Sequence, residues 1–395
     1  MTAVLIISIL LFLIYAALII YYRQGWVSIP QFDAAVLGGG HTTKISVIIP
    51  ARNEEQYIKD CLDSIRGQSY PKDLFEVMVV NDHSTDNTAA VIDEYAGQNI
   101  KRIDLADHVN DHLNAYKKKA IEVGIQRSTG ELIVTTDADC IVPPNWLQTI
   151  AALYEMRYPV FIAAPVSINC SNRFIEKFQA LDFMVLQGIT GAAVNKQMHS
   201  MCNGANLAYQ REAFEKVNGF KGIDNIASGD DMLLMHKIFK RYPTKLLFLK
   251  SKDAIVQTAP VHSIREFFQQ RIRWASKADK FGDKSLFPVL LVVYLFNLAM
   301  LVMPVICIFR NVQYSMFTQY PAGNIQCSMI GVWLWMLLFK TLIELIFLYP
   351  VAKFFGKQNM LKIFPLMQPF SIVYTVIAGW LGKFGSYEWK GRKVR

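Results

Sequence analysis

Residues 131–145, ELIVTTDADCIVPPN, decide the fold prediction. Residues 132–134 are an apolar, β-branched run bounded by turn signals, which is typical of a buried strand. Asp137 and Asp139 follow that strand at its carboxyl end, where open α/β sheets bind ligands. Hard oxygen ligands suit Mg²⁺ or Mn²⁺, and such an ion usually shares its coordination with substrate phosphates. An isolated Asp-x-Asp is a weak signal, so the rest of the chain has to support it.

Other apolar runs surround this strand, and each is followed by a polar loop. The predicted strands are residues 45–50, 75–80 and 100–105. Amphipathic helical patterns separate these runs, and strands that alternate with such helices predict a parallel, doubly wound α/β sheet. Because Arg52, Asp82 and Asp137 all follow strand ends, we expect these three side chains at one rim of the sheet.

The composition departs from that of an ordinary soluble protein. Of the 395 residues, 52% are hydrophobic and 18% are charged, and the net charge is +9. The basic residues cluster beside apolar segments, at 271–284 and 383–395, which favours membrane lipids as partners and argues against nucleic acid. Six scattered cysteines without a CxxC pair argue against a disulfide framework and against zinc.

Four apolar segments are candidate membrane spans. The first, residues 4–22, is just long enough to cross a bilayer of about 30 Å. It has no preceding positive region and no following cleavage site, so we favour a retained anchor over a signal peptide. The others are residues 286–309, 329–349 and 363–381. Lys340 and Glu344 in the third segment are spaced to pair on one helical face, which lowers the cost of their burial.

These observations divide the chain into six parts. They are an N-terminal transmembrane anchor (1–24), a linker (25–43), an α/β domain (44–262), an amphipathic interface helix (263–284), C-terminal membrane segments (285–382) and a basic tail (383–395). The positive-inside rule then places the α/β domain in the cytoplasm. A spanning last segment would leave the basic tail outside. Because Pro365 and Pro369 interrupt its start, we expect this segment to be re-entrant or to lie along the interface.

Five short motifs occur in order between residues 44 and 274. They are SVIIPARNEE (46–55), VNDHSTDNT (80–88), DAD (137–139), GDD (229–231) and QRIRW (270–274). Together they resemble the membrane-bound glycosyltransferases of family 2, the inverting GT-A type that includes cellulose, chitin and hyaluronan synthases and ceramide glucosyltransferase. The resemblance implies a GT-A doubly wound mixed sheet, with transmembrane helices at both ends of the chain.

The resemblance also implies the residues on the donor side of the site. Nucleotide-sugar binding would fall to Pro50, Arg52, Glu54, Asp82, Lys119 and Asp137. Asp137 and Asp139 would hold Mg²⁺ or Mn²⁺, with Asp139 the better candidate for direct coordination. The family usually has a second Asp before Asp82, and Asn81 stands there instead. This departure leaves one carboxylate fewer near the base and ribose.

On the acceptor side, Asp231 matches the general base of the family. Asp230 matches its acidic partner, where the family usually has Glu. The residues that match a motif near the diphosphate and acceptor are Gln270, Arg273 and Trp274. The chemistry requires such groups in any case. A nucleoside diphosphate leaving group gains negative charge that a cation and an arginine stabilise, and an acceptor hydroxyl needs a base within hydrogen-bond reach.

Each of these residues also has a structural interpretation. Asp82 could cap a helix, and Asp230 and Asp231 could be partners of a helix dipole. Arg273 and Trp274 could anchor the chain at the membrane interface. We favour the catalytic interpretation because all five motifs occur together.

Three functions follow from these patterns. The first is transfer of one sugar from a UDP- or GDP-sugar to a lipid or glycan acceptor at a bacterial inner membrane, in the building of the cell envelope. The second is processive polysaccharide synthesis, which QRIRW favours, although the membrane region after residue 274 is short for a translocation channel. The third is a non-catalytic membrane scaffold, which would not need both Asp139 and Asp231.

Overall fold

The computed structural model describes residues 2–34, 40–97, 99–109, 114–198, 201–227, 229–276, 285–317, 323–384, 387–389 and 392–394. Its strands are β1 (Ile45–Ala51), β2 (Phe75–Asn81), β3 (Ile100–Asp104), β4 (Leu132–Thr135), β5 (Cys140–Ile141), β6 (Phe161–Ala163), β7 (Val166–Ile168), β8 (Leu207–Gln210), β9 (Leu246–Phe248), β10 (Val256–Thr258), β11 (Tyr387–Trp389) and β12 (Arg392–Val394). Its helices are α1 (Thr2–Val27), α2 (Ile58–Arg66), α3 (Thr88–Asp93), α4 (Tyr116–Gln126), α5 (Trp146–Arg157), α6 (Phe174–Asn195), α7 (Arg211–Lys216), α8 (Met232–Arg241), α9 (Ile264–Ala275), α10 (Leu286–Phe317), α11 (Gly323–Phe355) and α12 (Phe364–Phe384).

A seven-stranded sheet forms the centre of the fold, in the order β3-β2-β1-β4-β8-β6-β9. The first four of these strands pair in parallel, whereas β8 runs antiparallel to both β4 and β6. Val47 on β1 pairs with Val77 on β2 and Val134 on β4, and all three are buried. Strands that are apolar throughout are typical of a sheet covered on both faces. The expected mixed, doubly wound sheet is confirmed. Parallel pairing joins β1 to β4 and also joins β6 to β9, and β8 is the antiparallel strand between these two groups.

A second, three-stranded sheet in the order β5-β10-β7 lies beside the DAD motif. The short strand β5 begins at Cys140, directly after Asp139, and pairs antiparallel with β10, where Cys140 lies opposite Thr258. Strand β7 then continues the sheet in parallel with β10. The short turn that carries Asp137 and Asp139 is therefore held at both ends by strands, β4 before it and β5 after it.

The hydrophobic core of the catalytic domain continues into the apolar helices. Trp26 near the end of α1 is buried and contacts the rings of Phe248 in β9 and Phe354 in α11. Helix α6 lies beside them, and a Cβ on Gly191 would lie only 2.8 Å from the Trp26 ring. Lys250 donates a 2.9 Å hydrogen bond to the carbonyl of Trp26, which satisfies the carboxyl end of α1. The N-terminal helix is therefore fixed to the domain that follows it.

Among the residues that the structure describes, four helices are long and apolar enough to cross a membrane. These segments are Val4–Val27, Leu286–Ile308, Ile330–Phe355 and Gln358–Phe384. Helices α10 and α11 extend to Phe317 and from Gly323, so both reach beyond the predicted segments 286–309 and 329–349 into the residues between them. Residues 318–322 lie outside the described part of the chain. Lys340 donates to Glu344 at 2.7 Å, which confirms the expected pair.

This ion pair belongs to a larger buried network between three helices. Lys340 also donates to Gln368 of α12 at 2.7 Å, and Gln368 donates to the second carboxylate oxygen of Glu344. Tyr15 of α1 donates to Glu344 as well. Because each charge is paired and hydrogen-bonded, the cost of burying these groups among apolar helices is largely offset.

Helix α12 differs from the re-entrant segment that was one of our two expectations. It is a single continuous helix, because Pro365 occupies its first turn, where a missing N–H costs nothing, and Pro369 follows one turn later. Such a helix does not turn back within the membrane. The alternative, a helix along the interface, remains a prediction. Helix α9, which was expected over residues 263–284, is described only to Ala275 and the following residue, and residues 277–284 lie outside the described part.

Candidate active site

The loops after β1 and β2 are bound to each other at the carboxyl rim of the sheet. Arg52 donates from Nη1 to the carbonyl oxygens of Asp82 (2.8 Å) and His83 (3.1 Å). Asn53 has a φ of 51° and His83 a φ of 53°, and an Asn side chain tolerates this left-handed region better than most. The side chain of Asn53 accepts from the backbone N–H of Thr85 at 2.8 Å. These contacts give the two loops one shared conformation.

Asp82 lies buried between these loops. Its Oδ1 is 2.9 Å from Nδ1 of His83 and 4.0 Å from Nη1 of Arg52. Helix α3 begins at Thr88 with Asn87 at its N-cap position, so Asp82 does not cap this helix. The structure thus brings Arg52 and Asp82 together at the rim, as the sequence predicted for these strand ends.

The other residues expected on this side follow from β1. Pro50 is the last residue but one of β1 and lies opposite Val80 of β2. Glu54 donates its backbone N–H to the hydroxyl of Thr88 at 2.8 Å. Both therefore lie at the same rim as Asp82.

Asn81 explains how the chain accommodates its departure from the family pattern. Its Nδ2 donates to Oδ1 of Asp104 on β3 at 2.7 Å, and its Oδ1 accepts from the backbone N–H of Ser84 at 3.3 Å. Arg102 binds the second oxygen of Asp104 at 3.1 Å. An amide can donate to this carboxylate, whereas an ionised Asp at position 81 would only repel it.

A lysine lies between the two acidic motifs. Nζ of Lys117 on α4 is 2.7 Å from Oδ1 of Asp137 and 3.2 Å from Oδ2 of Asp230. Burial alone would lower the pKa of Lys117, but the carboxylates of Asp137 and Asp230 outweigh burial and hold that pKa well above its usual value. Lys117 is thus charged at neutral pH and neutralises carboxylates that would otherwise repel each other.

Lys119, which the resemblance implied on the nucleotide side, lies elsewhere. Its Nζ pairs with Glu122 one turn along α4 at 2.8 Å. Residues two apart point to different sides of a helix, so Lys117 and Lys119 cannot both reach the rim. Lys118 is buried and donates to the carbonyls of Ile223 and Ile226. The structure therefore places Lys117, and not Lys119, among the site carboxylates.

Gly204 connects the end of the central strand to the second acidic motif. Its carbonyl accepts from the hydroxyl of Thr135 at 3.2 Å, and its N–H donates to Oδ2 of Asp231 at 3.1 Å. A Cβ at this position would lie 3.1 Å from Oδ2 of Asp230 and 3.4 Å from Nζ of Lys117. No motif in our sequence analysis assigned a role to Gly204, and its close approach to three charged groups explains the need for a glycine there.

The two aspartates of the GDD motif have different surroundings. Asp231 is the N-cap of α8, and its Oδ1 accepts from the N–H of Met232 at 2.7 Å. The structural role that we considered for the pair is thus realised by Asp231. Asp230 points instead to Lys117, and its side chain is only 10% exposed.

The two aspartates of the DAD motif lie beside the small sheet. Asp137 is 33% exposed at its side chain and its backbone carbonyl lies 3.7 Å from the thiol of Cys61. Oδ2 of Asp139 accepts from the hydroxyl of Thr258 on β10 at 3.4 Å. In the part of the chain that the structure describes, no three His, Cys, Asp or Glu side chains surround a common point. The two aspartates therefore offer hard oxygen atoms that leave most coordination positions of an ion to other ligands.

The QRIRW motif lies on α9, whose start is fixed by a capping box between Ser263 and Glu266. Gln270 accepts a 3.2 Å hydrogen bond from Arg271, and the guanidinium of Arg271 lies 4.2 Å from the centre of the Trp274 ring. Our sequence analysis counted Arg271 among the basic residues facing lipid, but the structure buries it at 4% exposure. Its spacing of three residues from Trp274 was the available signal for this placement.

Comparison with known proteins decides the family. Residues 46–217 match the profile of Glycosyl transferase family 2, and residues 132–381, well over half of the chain, match that of Glycosyl transferase family group 2. The chain is a family 2 glycosyltransferase. This membership is that of an enzyme family, so it sets aside the non-catalytic scaffold that the sequence left open.

Several characterised or named proteins are similar to this glycosyltransferase. The probable glycosyltransferase YdaM of Bacillus subtilis is 25% identical over 59% of this chain and 54% of its own length. An N-acetylglucosaminyltransferase of Sinorhizobium fredii is 27% identical over 66% and 65%, and a hyaluronan synthase of Streptococcus pyogenes is 24% identical over 66% and 63%. The enzyme thus aligns with between about half and two thirds of these relatives.

A solved structure supports the fold over almost the whole glycosyltransferase. The mannosyltransferase PcManGT of Pyrobaculum calidifontis, solved with GDP-Man and Mn²⁺, aligns with 93% of this chain and 99% of its own, with a TM-score of 0.57. The sequence identity is 20%, so the likeness concerns the fold. It includes the chain beyond the catalytic domain and agrees with the GT-A prediction.

We predict that Lys117→Met lowers the rate of sugar transfer at least tenfold, while Lys119→Met changes it less than twofold. The first variant removes a hydrogen bond to a charged group, worth about 1.5–3 kcal/mol, together with an ion pair, and leaves two carboxylates facing each other. The second removes only a partly exposed ion pair on one helix, which is worth about 0–1 kcal/mol. Initial rates of the two detergent-purified variants provide the measurement. Equal losses in both would show that Lys117 has no special place in the site.

Proposed function

We propose that this enzyme transfers a sugar, with inversion, from a nucleoside diphosphate sugar to a hydroxyl of a lipid or lipid-linked acceptor at the membrane. The observation that carries the proposal is the cluster of Asp137, Asp230 and Lys117 at the carboxyl rim of β4, beside Asp231. It combines acidic groups for a cation and for a proton with a fixed counter-charge. The helices fused to this domain supply a membrane surface for the acceptor.

The donor is expected between the two halves of the rim. The shared conformation of the loops after β1 and β2 gives Arg52 and Asp82 fixed positions on one side. The mannosyltransferase with the same fold was solved with GDP-Man, which supports a nucleoside diphosphate sugar as the class of donor. A UDP- or GDP-sugar fits this class, and Pro50 and Glu54 lie where they would border it.

The residues present fit a divalent cation, Mg²⁺ or Mn²⁺. Asp137 and Asp139 supply carboxylate oxygens, the ligand type that these ions prefer, and Asp137 is exposed enough to share an ion with phosphate oxygens. When bound, the ion would stabilise the negative charge that develops on the leaving diphosphate. Lys117 holds Asp137 in place through its 2.7 Å contact and keeps Asp230 close to it.

Proton removal from the acceptor is assigned to Asp231. Its position is fixed by hydrogen bonds from the N–H groups of Gly204 and Met232. A base held in this way meets the acceptor hydroxyl in one geometry. Asp230 is the alternative base, but it is engaged by Lys117 in the ligand-free site.

A processive polysaccharide synthase is the second candidate function. Similarity to a hyaluronan synthase over 66% of this chain favours it. Within the described residues, four helices are long and apolar enough to cross a membrane, and one of them, α12, contacts α6 of the catalytic domain at Phe370 and Tyr374. Three remaining spans are few for a channel that translocates a growing chain, so we favour transfer of single sugars.

The first test uses purified enzyme with radiolabelled UDP-glucose, UDP-N-acetylglucosamine and GDP-mannose, together with a total bacterial lipid extract. We expect one donor to label a lipid product of a single added sugar. EDTA should abolish the labelling and Mg²⁺ or Mn²⁺ should restore it, because the diphosphate charge needs a cation. Asp139→Ala should behave like EDTA-treated enzyme. Full activity of Asp139→Ala would contradict the metal assignment, and a polymeric product would favour the synthase.

A second prediction concerns the base. Asp231→Asn keeps the shape of the side chain but removes its basicity, so turnover should fall by about 10²–10⁴-fold while donor binding survives. Calorimetric titration with the nucleoside diphosphate and a rate assay measure the two effects separately. Asp230→Asn is the matched control. If it is inactive while Asp231→Asn transfers normally, the base is Asp230.

The membrane topology follows from the same proposal. Nucleotide sugars are available in the cytoplasm, so the catalytic domain belongs on the cytoplasmic side of the membrane. We take this membrane to be a bacterial inner membrane. Helix α12 contacts α6 of the catalytic domain at Phe370 and Tyr374 and the interface helix α9 at Gly382, over about 18 Å of its length at 1.5 Å per residue. A crossing helix would leave the domain within its first turns. We therefore place α12 along the interface and the basic tail in the cytoplasm.

A cysteine at Ser386, in a background without Cys307 and Cys327, tests this topology. We expect a membrane-impermeant maleimide to leave intact cells unlabelled and to label the same protein after the membrane is opened. The reason is that the tail carries five basic residues, Lys390, Arg392, Lys393 and Arg395 beside Lys383, that favour the cytoplasmic side. Labelling of intact cells would place the tail outside and make α12 a span.

A further inference from the structure

Arg271 is a buried cation that the proposed chemistry does not use. It lies on α9 at 4% exposure, with its guanidinium carbon 4.8 Å from the centre of the Phe267 ring and 4.2 Å from that of Trp274. A buried guanidinium is costly unless it is paired, so its surroundings need an explanation.

Two of the residues that Arg271 contacts belong to the QRIRW motif. Its Nη1 donates to Oε1 of Gln270 at 3.2 Å, and its guanidinium carbon lies 4.2 Å from the centre of the Trp274 ring. A planar guanidinium can stack on an aromatic ring and donate in its own plane at the same time, which an ammonium cannot do. Arg271 thus fixes the side chains on both sides of it in the motif.

Arg271 is itself held by groups on two other helices. Its Nη2 lies 2.6 Å from Oδ2 of Asp182 on α6, and Tyr374 of α12 donates to Oδ1 of the same carboxylate. The rings of Phe178 on α6 and Phe370 on α12 meet beside this pair, 4.6 Å apart between centroids. We call Arg271, Asp182 and Tyr374 the three-helix clasp.

We propose that the three-helix clasp positions the QRIRW motif (270–274), so that sugar transfer depends on how α12 packs against the catalytic domain. Arg271 is a positioning residue that acts through Gln270 and Trp274. Tyr374 links α12 to Arg271, because both contact the carboxylate of Asp182. The proposal rests on the proposed function in one respect, the role of this motif in binding the acceptor.

A purely stabilising role does not require these residue types. Well-packed apolar side chains of similar volume often stabilise a core as well as or better than a buried ion pair. The clasp instead sets a position: Nη2 of Arg271 lies against the carboxylate of Asp182, and the guanidinium lies close to two aromatic rings. Its loss should misplace Gln270 and Trp274 rather than unfold the domain.

Loss of the clasp should therefore affect the donor and the acceptor differently. The donor side, with Asp82, Asp137 and Lys117, lies on loops and helices of the sheet that the clasp does not touch. Donor binding and the slow hydrolysis of donor by water should therefore persist without the clasp. Transfer to a lipid acceptor needs the motif in place and should fall by about 10- to 100-fold, as expected when a reacting group is misplaced.

The test compares Tyr374→Phe with Ser371→Ala in the full-length enzyme. Both remove one hydroxyl from α12, but only the first removes a contact of the clasp. Two readouts are taken. One is the ratio of lipid labelling to donor hydrolysis with radiolabelled UDP-glucose, UDP-N-acetylglucosamine and GDP-mannose. The other is the ¹⁹F resonance of 5-fluorotryptophan at position 274, assigned with Trp274→Phe.

We expect Tyr374→Phe to shift the Trp274 resonance and to lower the ratio of transfer to hydrolysis, and Ser371→Ala to do neither. An unchanged resonance, or equal losses of transfer and hydrolysis, would overturn the proposal. The spectroscopic readout does not depend on activity, so it tests the clasp even if no donor in the panel is used. The double variant Arg271→Met with Asp182→Leu provides a second case. It replaces the buried ion pair by apolar side chains, so it should fold and bind nucleotide but transfer sugar poorly. Transfer at the unmodified rate would show that the clasp only stabilises the fold.

Discussion

The ion pairs that Lys117 makes with Asp137 and Asp230 are the interaction on which the site depends. Two acidic motifs, far apart in sequence, meet at the carboxyl rim of β4, and their charges repel each other unless a cation lies between them. Lys117 supplies that cation from α4. Gly204 leaves the room for it, because any side chain there would enter the space between Lys117 and Asp230. The ligand-free rim is therefore assembled before a substrate arrives.

The second constraint is the position of this rim relative to the membrane. Trp26 and Phe354 from the apolar helices share one core with Phe248 of the sheet, so the catalytic domain does not swing on a flexible tether. The lipid acceptor that we propose would diffuse in the plane of the membrane at a fixed depth. A rigid connection brings the reacting groups to that depth without a further ordering cost.

The fold was largely predictable, and the reasons are local. The runs that form β1, β2 and β4 are mostly apolar and rich in β-branched residues, which is typical of buried strands, and the DAD motif marks the carboxyl end of β4. The antiparallel direction of β8 was not predictable from its four residues, because strand direction depends on the path of α6 before it.

The site was only partly predictable, for three separate reasons. Three consecutive lysines look alike in sequence, and only the rotation of α4 decides that Lys117 and not Lys119 faces the carboxylates. Arg271 lies in a basic helix beside apolar segments, so its sequence context predicts exposure. Its burial is possible because Asp182, which is distant in sequence, pairs with it. Gly204 carries no side chain, and its role becomes visible only when its neighbours are known.

The most direct test of the site is the position of a bound ion. Anomalous scattering from crystals grown with Mn²⁺ and either UDP or GDP locates the metal without reference to activity. The arrangement of the rim predicts a peak within coordination distance of a carboxylate oxygen of Asp137 or Asp139, with the diphosphate on its open side and Lys117 within reach of the phosphates or of Asp230. A peak away from both aspartates, with nucleotide bound elsewhere, would contradict it.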